Sequence, residues 1–184
     1  EADDAIATAA ERFKKVKSVD QVVICSVDKD LTQMVEGQKV ICWDRRREII
    51  LDEKGVVEKF GVGPESIPDF LALVGDSADG YPGIQGWGEK STATVLSKFK
   101  HIEFIPHDPN KLGLGIGRAT TLLGNLQQNY KDALLYRELS TLRTDVPLKE
   151  NLGDLKWLGA YPRFKKVCLE MGDERIPERI PLWR

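Results

Sequence analysis

The sequence is poor in the residues that build zinc sites, disulfide scaffolds and membrane spans. Its 184 residues include two histidines and three cysteines, and neither type has the spacing of a metal-ligand motif. The three cysteines are widely separated, which indicates reduced thiols and a cytoplasmic setting. No apolar stretch approaches the length of a bilayer span, so we expect no membrane partner. Hydrophobic residues make up 41% and charged residues 30% of the chain, as in an ordinary globular protein.

Carboxylates are grouped where predicted elements begin or end. The groups are Glu1, Asp3 and Asp4 at the start of the chain, Asp28 and Asp30 after the apolar run 22–27, and Asp76 and Asp79 after the apolar run 70–74. Seven acids in one place would repel one another unless divalent cations lay among them. Oxygen ligands without His or Cys favour Mg²⁺, or Mn²⁺, over zinc.

Each group also has a simpler structural interpretation. Acids such as Asp3 and Asp4 in a first helical turn stabilise the helix dipole by about 0.3–1 kcal/mol. Asp28 could form an Asx-turn that caps the next element, and Asp76 with Asp79 could be solvated loop residues. Against this, Glu1 and Asp4 are three apart and share one helical face.

The second group adds to the case for metal binding. Residues i and i+2 of an extended stretch point the same way, and Asp28 and Asp30 follow a buried strand, where α/β sheets place ligands. Together the three groups predict a site for two Mg²⁺ ions, with Asp3, Asp28 and Asp30 as the catalytic carboxylates. Two cations about 3.5–4 Å apart activate a water and neutralise the leaving oxygen in phosphoryl chemistry.

A glycine-punctuated turn follows Asp79 and leads into a predicted helix. Its predicted DNA-binding residues are Gly83, Gly86, Gly88, Lys90, Ser91 and Thr92. Glycine permits positive φ and close approach of a ligand, and unpaired N–H groups at a helix start suit a DNA phosphate. Lys90 and the two hydroxyls would add donors. The alternative is a structural corner between helices, and Trp87 at its tip is predicted to plug the core.

The hydrophobic pattern predicts an α/β front and a mostly helical rear, divided into residues 1–75 and 76–184. The front is predicted to have a helix over 1–17 and strands over 22–27, 39–43 and 48–51, with a turn over 44–47. Predicted helices follow from residue 52 and over 64–73, 89–99, 119–129, 132–142 and 162–171, with a glycine-rich connection over 110–117. Residues 1–80 carry 11 Lys+Arg against 17 Asp+Glu, so the acidic half is the half with the predicted metal site.

Several of these motifs resemble those of bacterial 5′-3′ exonucleases, the flap-endonuclease-like domains found alone or ahead of DNA polymerase I. The matching segments, in order, are 1–7 (EADDAIA), 26–31 (SVDKDL), 75–79 (GDSAD), 82–91 (PGIQGWGEKS) and 134–148. Gly80 and Tyr81 depart from the family, which commonly has Asn and a small or apolar residue there.

The resemblance implies a PIN-like nuclease core with a helical lobe containing a helix–turn–helix variant (H3TH) that grips duplex DNA. It implies that Glu1, Asp3, Asp4, Asp28 and Asp30 hold the first metal region, and that Asp76 and Asp79 serve the second. A potassium ion at the glycine turn is also implied. An opening strand with a further Asp, and a helical arch, should precede Glu1, so we expect the chain to be a fragment.

The expected function is therefore structure-specific 5′-3′ exonuclease or flap endonuclease activity in DNA replication and repair, by a monomer acting on flapped, nicked or branched duplexes. The alternative is a non-catalytic duplex-binding module or an inactive fragment. An RNA-directed relative stays open, because nothing in the sequence reads a 2′-hydroxyl.

Overall fold

The front of the chain is built on a short mixed sheet. In the computed structural model, which describes residues 1–173 and 175–184, its strands are β1 (Val22–Ile24), β2 (Val40–Asp44) and β3 (Ile49–Leu51). β1 pairs with β2 in parallel, and β2 pairs with β3 antiparallel. The predicted turn between β2 and β3 is confirmed, and the Asp44 carboxylate accepts two backbone N–H groups there, each at 3.0 Å. The predicted strand 22–27 ends early at Ile24, because the chain turns at Ser26, whose N–H bonds the carbonyl of Ile24.

Helices form most of the rest of the chain. Their bounds are α1 (Ala2–Phe13), α2 (Glu53–Phe60), α3 (Ile67–Val74), α4 (Glu89–Phe99), α5 (Ile116–Gln128), α6 (Tyr130–Ser140), α7 (Arg163–Glu170) and α8 (Arg175–Glu178). Short 3₁₀ turns cover Asp30–Met34, Pro64–Ser66, Ile102–Phe104 and Pro109–Lys111. α4 has the predicted bounds. α5 begins three residues before the predicted start, so the glycine-rich connection is partly helical. None of the described helices is long and apolar enough to cross a membrane.

Local sequence explains where several helices begin and end. Asp52 caps α2 by accepting the N–H of Gly55 at 2.9 Å, and Gly61 ends the helix at a φ of +74°. Pro64 starts a 3₁₀ turn that leads into α3, as proline suits a first helical turn.

α3 is the central element of the hydrophobic core. Ile67, Phe70, Leu71 and Leu73 on this helix are each at most 3% exposed. α3 packs against α4 and α6, and Phe60 of α2 meets Phe70 edge-on at 5.7 Å. Burying one such side chain contributes roughly 1.5–3 kcal/mol. This packing fixes the C-terminal end of α3, from which the segment with Asp76 and Asp79 continues.

The chain divides into two compact units, residues 1–148 and 149–184. The first contains the sheet, α1 to α6 and the hydrophobic core. The second contains α7, α8 and an isolated bridge between Ala160 and Trp183. The predicted boundary after Gly75, between nuclease core and DNA-binding lobe, falls inside the first unit and stays a prediction.

Candidate active site

An open cleft of about 1010 Å³ lies in the first unit. Five of the seven predicted acids line it: Glu1, Asp3, Asp4, Asp30 and Asp79. The remaining lining residues are Tyr81, four residues of α6 (Leu134, Arg137, Glu138 and Leu139) and Thr141, Leu142 and Arg143 after that helix. Asp28 and Asp76 do not line the cleft, but their charges act on the acids that do. The structure therefore brings the three groups into one neighbourhood.

The first group lies at the start of α1. Asp3 and Asp4 occupy the first helical turn, and no side-chain hydrogen bond caps it. Burial raises the pKa of Asp3, and the negative charges of Asp28 and Glu1 raise it further. Asp4 has a separate contact, because its Oδ1 accepts the backbone N–H of Arg143 at 2.8 Å.

The second group is shaped by an Asx-turn. Asp28 Oδ1 accepts the N–H of Asp30 at 3.0 Å, and Asp30 opens a 3₁₀ turn. The expectation of an extended stretch with both side chains in parallel is therefore wrong, since the chain has already left the sheet at Ser26. Burial raises the pKa of Asp30 to about 7, with further contributions from Asp79 and then the other nearby acids.

The third group lies in a tight turn after α3. The carbonyl of Asp76 accepts the N–H groups of Gly80 and Tyr81, at 3.0 and 3.2 Å. Gly80 has a φ of +83°, a conformation that Asn also tolerates, so its departure from the family pattern preserves the turn. Tyr81 is buried and stacks on Tyr136 of α6 at 5.8 Å.

Asp76 and Asp79 differ sharply in environment. Asp76 is 4% exposed and forms an ion pair with Lys29, whereas Asp79 is exposed. Burial acts to raise the pKa of Asp76, but hydrogen bonds from Lys29 and the N–H of Ala78 outweigh it and lower that pKa. For Asp79, partial desolvation by neighbouring atoms and the charge of Asp76 raise the pKa.

The donor chemistry of the cleft fits a hard divalent cation. Asp30 Oδ1 is buried and has no hydrogen-bond partner among the described residues, while the carboxylates of Asp79, Asp28, Asp76 and Asp3 act on it. An unpaired buried carboxylate oxygen beside like charges is costly unless a cation balances it. In the described part of the chain, no three His, Cys, Asp or Glu side chains already form a metal-holding group.

The glycine turn leads into α4 as predicted. Gly83 and Gly86 have φ values of +71° and +86°, and Gly88 precedes the helix in extended conformation. No side-chain hydrogen bond caps the start of α4, so its first N–H groups are open to an anion. Lys90 is exposed beside them.

Two side chains at this helix start point inward. Ser91 is 2% exposed and donates its hydroxyl to the carbonyl of Gly88, and Thr92 is fully buried. The expectation that their hydroxyls act as surface donors is therefore wrong, because packing of the first turn removes both from the surface. The prediction that Trp87 plugs the core is confirmed: it is 2% exposed, and its Nε1 donates to the carbonyl of Leu122 at 3.0 Å.

The wall formed by α6 was not predicted from the sequence. Arg137 projects into the cleft lining, where its Nη1 lies 2.6 Å from Glu103 Oε2 and 3.3 Å from Asp69 Oδ1. Only tertiary packing of α6 on α3 brings this helix to the acids, although segment 134–148, which resembles the family, includes the part of α6 that lines the cleft. Lys29 was also missed, although its place between Asp28 and Asp30 was a usable signal.

Comparison with solved structures gives the same fold. A crystal structure of a bacteriophage T5 protein co-crystallised with metal ions superposes with a TM-score of 0.61 at 23% identity, over 78% of this chain and 51% of that one. A T5 flap endonuclease in complex with DNA and metal ions gives a TM-score of 0.62 at 23% identity, over 78% and 50%.

Curated relatives have higher sequence identity. A 5′-3′ exonuclease of Aquifex aeolicus is 38% identical over 158 residues, which are 86% of this chain and 53% of the relative. DNA polymerase I of Pseudomonas aeruginosa is 37% identical over 164 residues, 84% of this chain and 17% of the polymerase. This chain thus spans about half the length of the exonuclease and a smaller share of the polymerase.

Two family models match consecutive parts of the chain. Residues 1–61 match the resolvase-like N-terminal domain of 5′-3′ exonucleases, and residues 62–162 match their C-terminal SAM fold. The fold is accordingly a PIN-type α/β core followed by a helical H3TH lobe. The chain belongs to the 5′-3′ exonuclease family.

Proposed function

We propose that this chain is part of a structure-specific 5′ nuclease that hydrolyses DNA phosphodiesters with two Mg²⁺ ions held by the cleft acids. The observation that carries the proposal is the buried Oδ1 of Asp30, which has no hydrogen-bond partner within residues 1–173 and 175–184 and has four neighbouring carboxylates, in a chain of the 5′-3′ exonuclease family. The T5 relatives whose structures contain metal ions, and in one case DNA, support the same chemistry.

The acids would form two sets, and each set would hold one cation. Asp3, Asp28 and Asp30 would hold the cation that meets the scissile phosphate, with Glu1 and Asp4 beside them. Asp76 and Asp79 would hold the second. The cations, when bound, supply a water of lowered pKa and neutralise the leaving oxygen. The protein would supply a fixed orientation of the carboxylates, because the Asx-turn of Asp28 and the tight turn at Asp76 hold the backbone of these two segments in place.

The glycine turn would grip the duplex away from the reacting phosphate. The open N–H groups at the start of α4 and the exposed Lys90 would bind the DNA backbone without reading its sequence. Gly88, where an added Cβ would meet no atom within 4 Å, would let the DNA backbone approach closely. Gly83 and Gly86 would shape the turn through their positive φ, and Ser91 would contribute its N–H. Arg118, whose Nη2 lies 3.3 Å from Ser91 Oγ, is a further cation at this surface. The potassium ion at this turn stays a prediction.

The test is cleavage of a 5′-flapped duplex by the full-length gene product. Asp28→Ala should lower the rate by about 10²-fold or more, because lost positioning alone has that effect. Asp20→Ala, which removes an exposed acid before β1, is the matched control and should cleave normally. Activity should also disappear in EDTA and return with Mg²⁺. Normal cleavage by Asp28→Ala would overturn the proposal.

The same assay separates the rival function. Salt-sensitive binding of duplex DNA without cleavage, unaffected by EDTA, would identify a non-catalytic binding module. A flap with a 5′ RNA segment tests the RNA-directed alternative, and equal rates on DNA and RNA flaps would support it.

A further inference from the structure

The segment that follows α6 lies along α1, where the first acid group begins. Residues 141–148, called the strap below, have no regular secondary structure. Three residues of α1 bond it: Asp4 Oδ1 accepts the N–H of Arg143 at 2.8 Å, Thr8 bonds it twice, and Arg12 donates to the carbonyl of Leu148 at 3.2 Å. All of these contacts lie within the first unit.

Thr8 is the central contact. Its hydroxyl donates to the carbonyl of Arg143 at 3.3 Å and accepts the N–H of Val146 at 3.2 Å. The side chain is 7% exposed and lies one turn from Asp4 on the same helical face. One hydroxyl thus satisfies a donor and an acceptor of the strap, and both would be unpaired if it were removed.

The same region reaches the second acid group through Gln33. The Nε2 of Gln33 donates to the carbonyl of Asp30 at 2.8 Å and to that of Ser140 at 2.9 Å. Its Oε1 accepts the N–H of Leu142 at 3.0 Å. A single amide therefore connects the backbone of Asp30 to the end of α6 and the start of the strap.

These contacts converge on the cleft. Leu142 and Arg143 line it together with Asp4, Asp30 and residues of α6. The strap is therefore hydrogen-bonded to the first acid group directly, at Asp4, and to the second acid group indirectly, through Gln33 to the backbone of Asp30. Outer contacts of this kind orient ligating carboxylates, and their removal typically lowers metal affinity 10- to 100-fold.

We infer that the strap fixes the positions of the first and second acid groups relative to each other, so that both can bind divalent cations, with Thr8 as the positioning residue. The inference rests on the proposed function, because it assumes that these acids hold the metals. Thr8 itself touches neither metal nor DNA. It acts through the strap on Asp4, and Gln33 acts in the same way on Asp30.

The experiment measures Mn²⁺ binding by isothermal titration calorimetry on the full chain. Thr8→Val keeps the shape of the side chain but loses both hydrogen bonds, and should weaken Mn²⁺ binding about tenfold. Thr8→Ser retains the hydroxyl and should bind within about twofold of the unsubstituted chain. Thr120→Val is the matched control, since the hydroxyl of Thr120 bonds the carbonyl of Ile116 in its own helix.

Thermal melting of each variant separates positioning from folding. If Thr8→Val does not melt cooperatively, Gln33→Met carries the test, because it removes the contacts to Asp30 and α6 and should weaken binding in the same way. Unchanged Mn²⁺ affinity in the folded variant, even with a lower Tm, overturns the inference and leaves the proposed function standing. Absence of saturable Mn²⁺ binding by the unsubstituted chain overturns both.

Discussion

Asp76 and Asp30 are the same residue type in one acidic neighbourhood, yet their environments shift their pKa values in opposite directions. Asp76 has Lys29 and a backbone N–H as partners, and these lower its pKa. Asp30 has a buried oxygen without a hydrogen-bond partner in the described part of the chain, and its pKa is raised to about 7. In the absence of metal, the ionisation of Asp30 therefore opposes folding, as does that of Asp3 and Asp79, whose pKa values are also raised.

The sign of this effect follows from proton linkage. The folded-state pKa of Asp30 lies above the unfolded-state value, so the native state binds more protons between about pH 4 and 7. The stability contributed by protonated Asp30 is present below pH 4 and is lost as the pH rises to 7. Asp30→Asn stays neutral, so in EDTA at pH 8 it should raise the Tm by a few degrees.

Thermal melts in EDTA across this pH range check the prediction. The gain should shrink toward zero at pH 4, and Asp20→Asn, at an exposed position before β1, should show no comparable change. Mn²⁺ or Mg²⁺ should raise the Tm of the unsubstituted chain more than that of Asp30→Asn. A variant that melts lower at every pH would contradict the account.

The sequence indicated which acids belong to the candidate site, but it did not indicate the directions of the side chains. Four of the seven acids stand out by their positions after apolar runs, and the other three by their grouping at the start of the chain. The Asx-turn of Asp28 depends on where β1 ends, and the inward hydroxyls of Ser91 and Thr92 depend on the packing of α4. Each of these is a tertiary outcome that local spacing does not encode.

The glycine turn is the element whose backbone the sequence specifies most strongly. It passes close to the end of α3: a Cβ on Gly83 would lie 2.5 Å from the nitrogen of Gly75 and 2.6 Å from the carbonyl oxygen of Val74. The glycine turn therefore packs against the end of α3, from which the acid-bearing turn at Asp76 continues. Gly80 and Gly83 permit a test that separates the effect of backbone strain at positive φ from the effect of close backbone packing.

Gly83→Ala should destabilise the chain far more than Gly80→Ala. Both positions have positive φ, at +71° and +83°, so both substitutions carry the left-handed penalty of about 1–2 kcal/mol. At Gly80 no atom lies within 4 Å of the added methyl group, whereas at Gly83 it meets backbone. The loss for Gly83→Ala should exceed about 3 kcal/mol, measured by urea unfolding. Equal losses at the two positions would show that backbone contact does not govern this turn.

Helices with a clear hydrophobic period were predicted as helices, but the residues at which they begin and end were predicted less well. The bounds of α4 were predicted correctly; in the structure Gly88 precedes the helix and Lys100 follows it, at a φ of +64°. α1 was predicted to continue to Lys17 but ends at Phe13. Its apolar period stops there, and the following lysines turn toward acids, as Lys14 does toward Glu11 and Glu36.

At the scale of the whole molecule, the cleft exists because distant segments pack together. Its acid wall comes from residues before 80, and its other wall comes from α6 and the strap. The sequence predicted the first wall and the α/β-then-helical order, but it contains no signal that pairs α6 with α3. That pairing results from burial of the apolar face of α3, which many helices could satisfy.

The distribution of the core makes a prediction about which parts fold alone. The described hydrophobic cluster runs from Ala10 to Ala133, with Leu142 packed against it, and has no described member beyond residue 148. A chain ending at Leu148 should therefore unfold cooperatively, with a Tm within a few degrees of the 184-residue chain. Within the second unit, apolar residues such as Trp157 and Leu169 are exposed.

A chain ending at Gly75, the predicted boundary of the nuclease core, is the informative comparison. It keeps α3 but loses α4 and α6, which cover that helix, together with buried Trp87 and Leu96. At roughly 1.5–3 kcal/mol for each large buried side chain, the loss exceeds the stability of a typical domain. Circular dichroism melts should show a sharp transition for the 148-residue chain and none for the 75-residue chain. A cooperative transition in the shorter chain would mean that the acid groups before residue 75 fold without the helical wall, and that the cleft assembles from two independent parts.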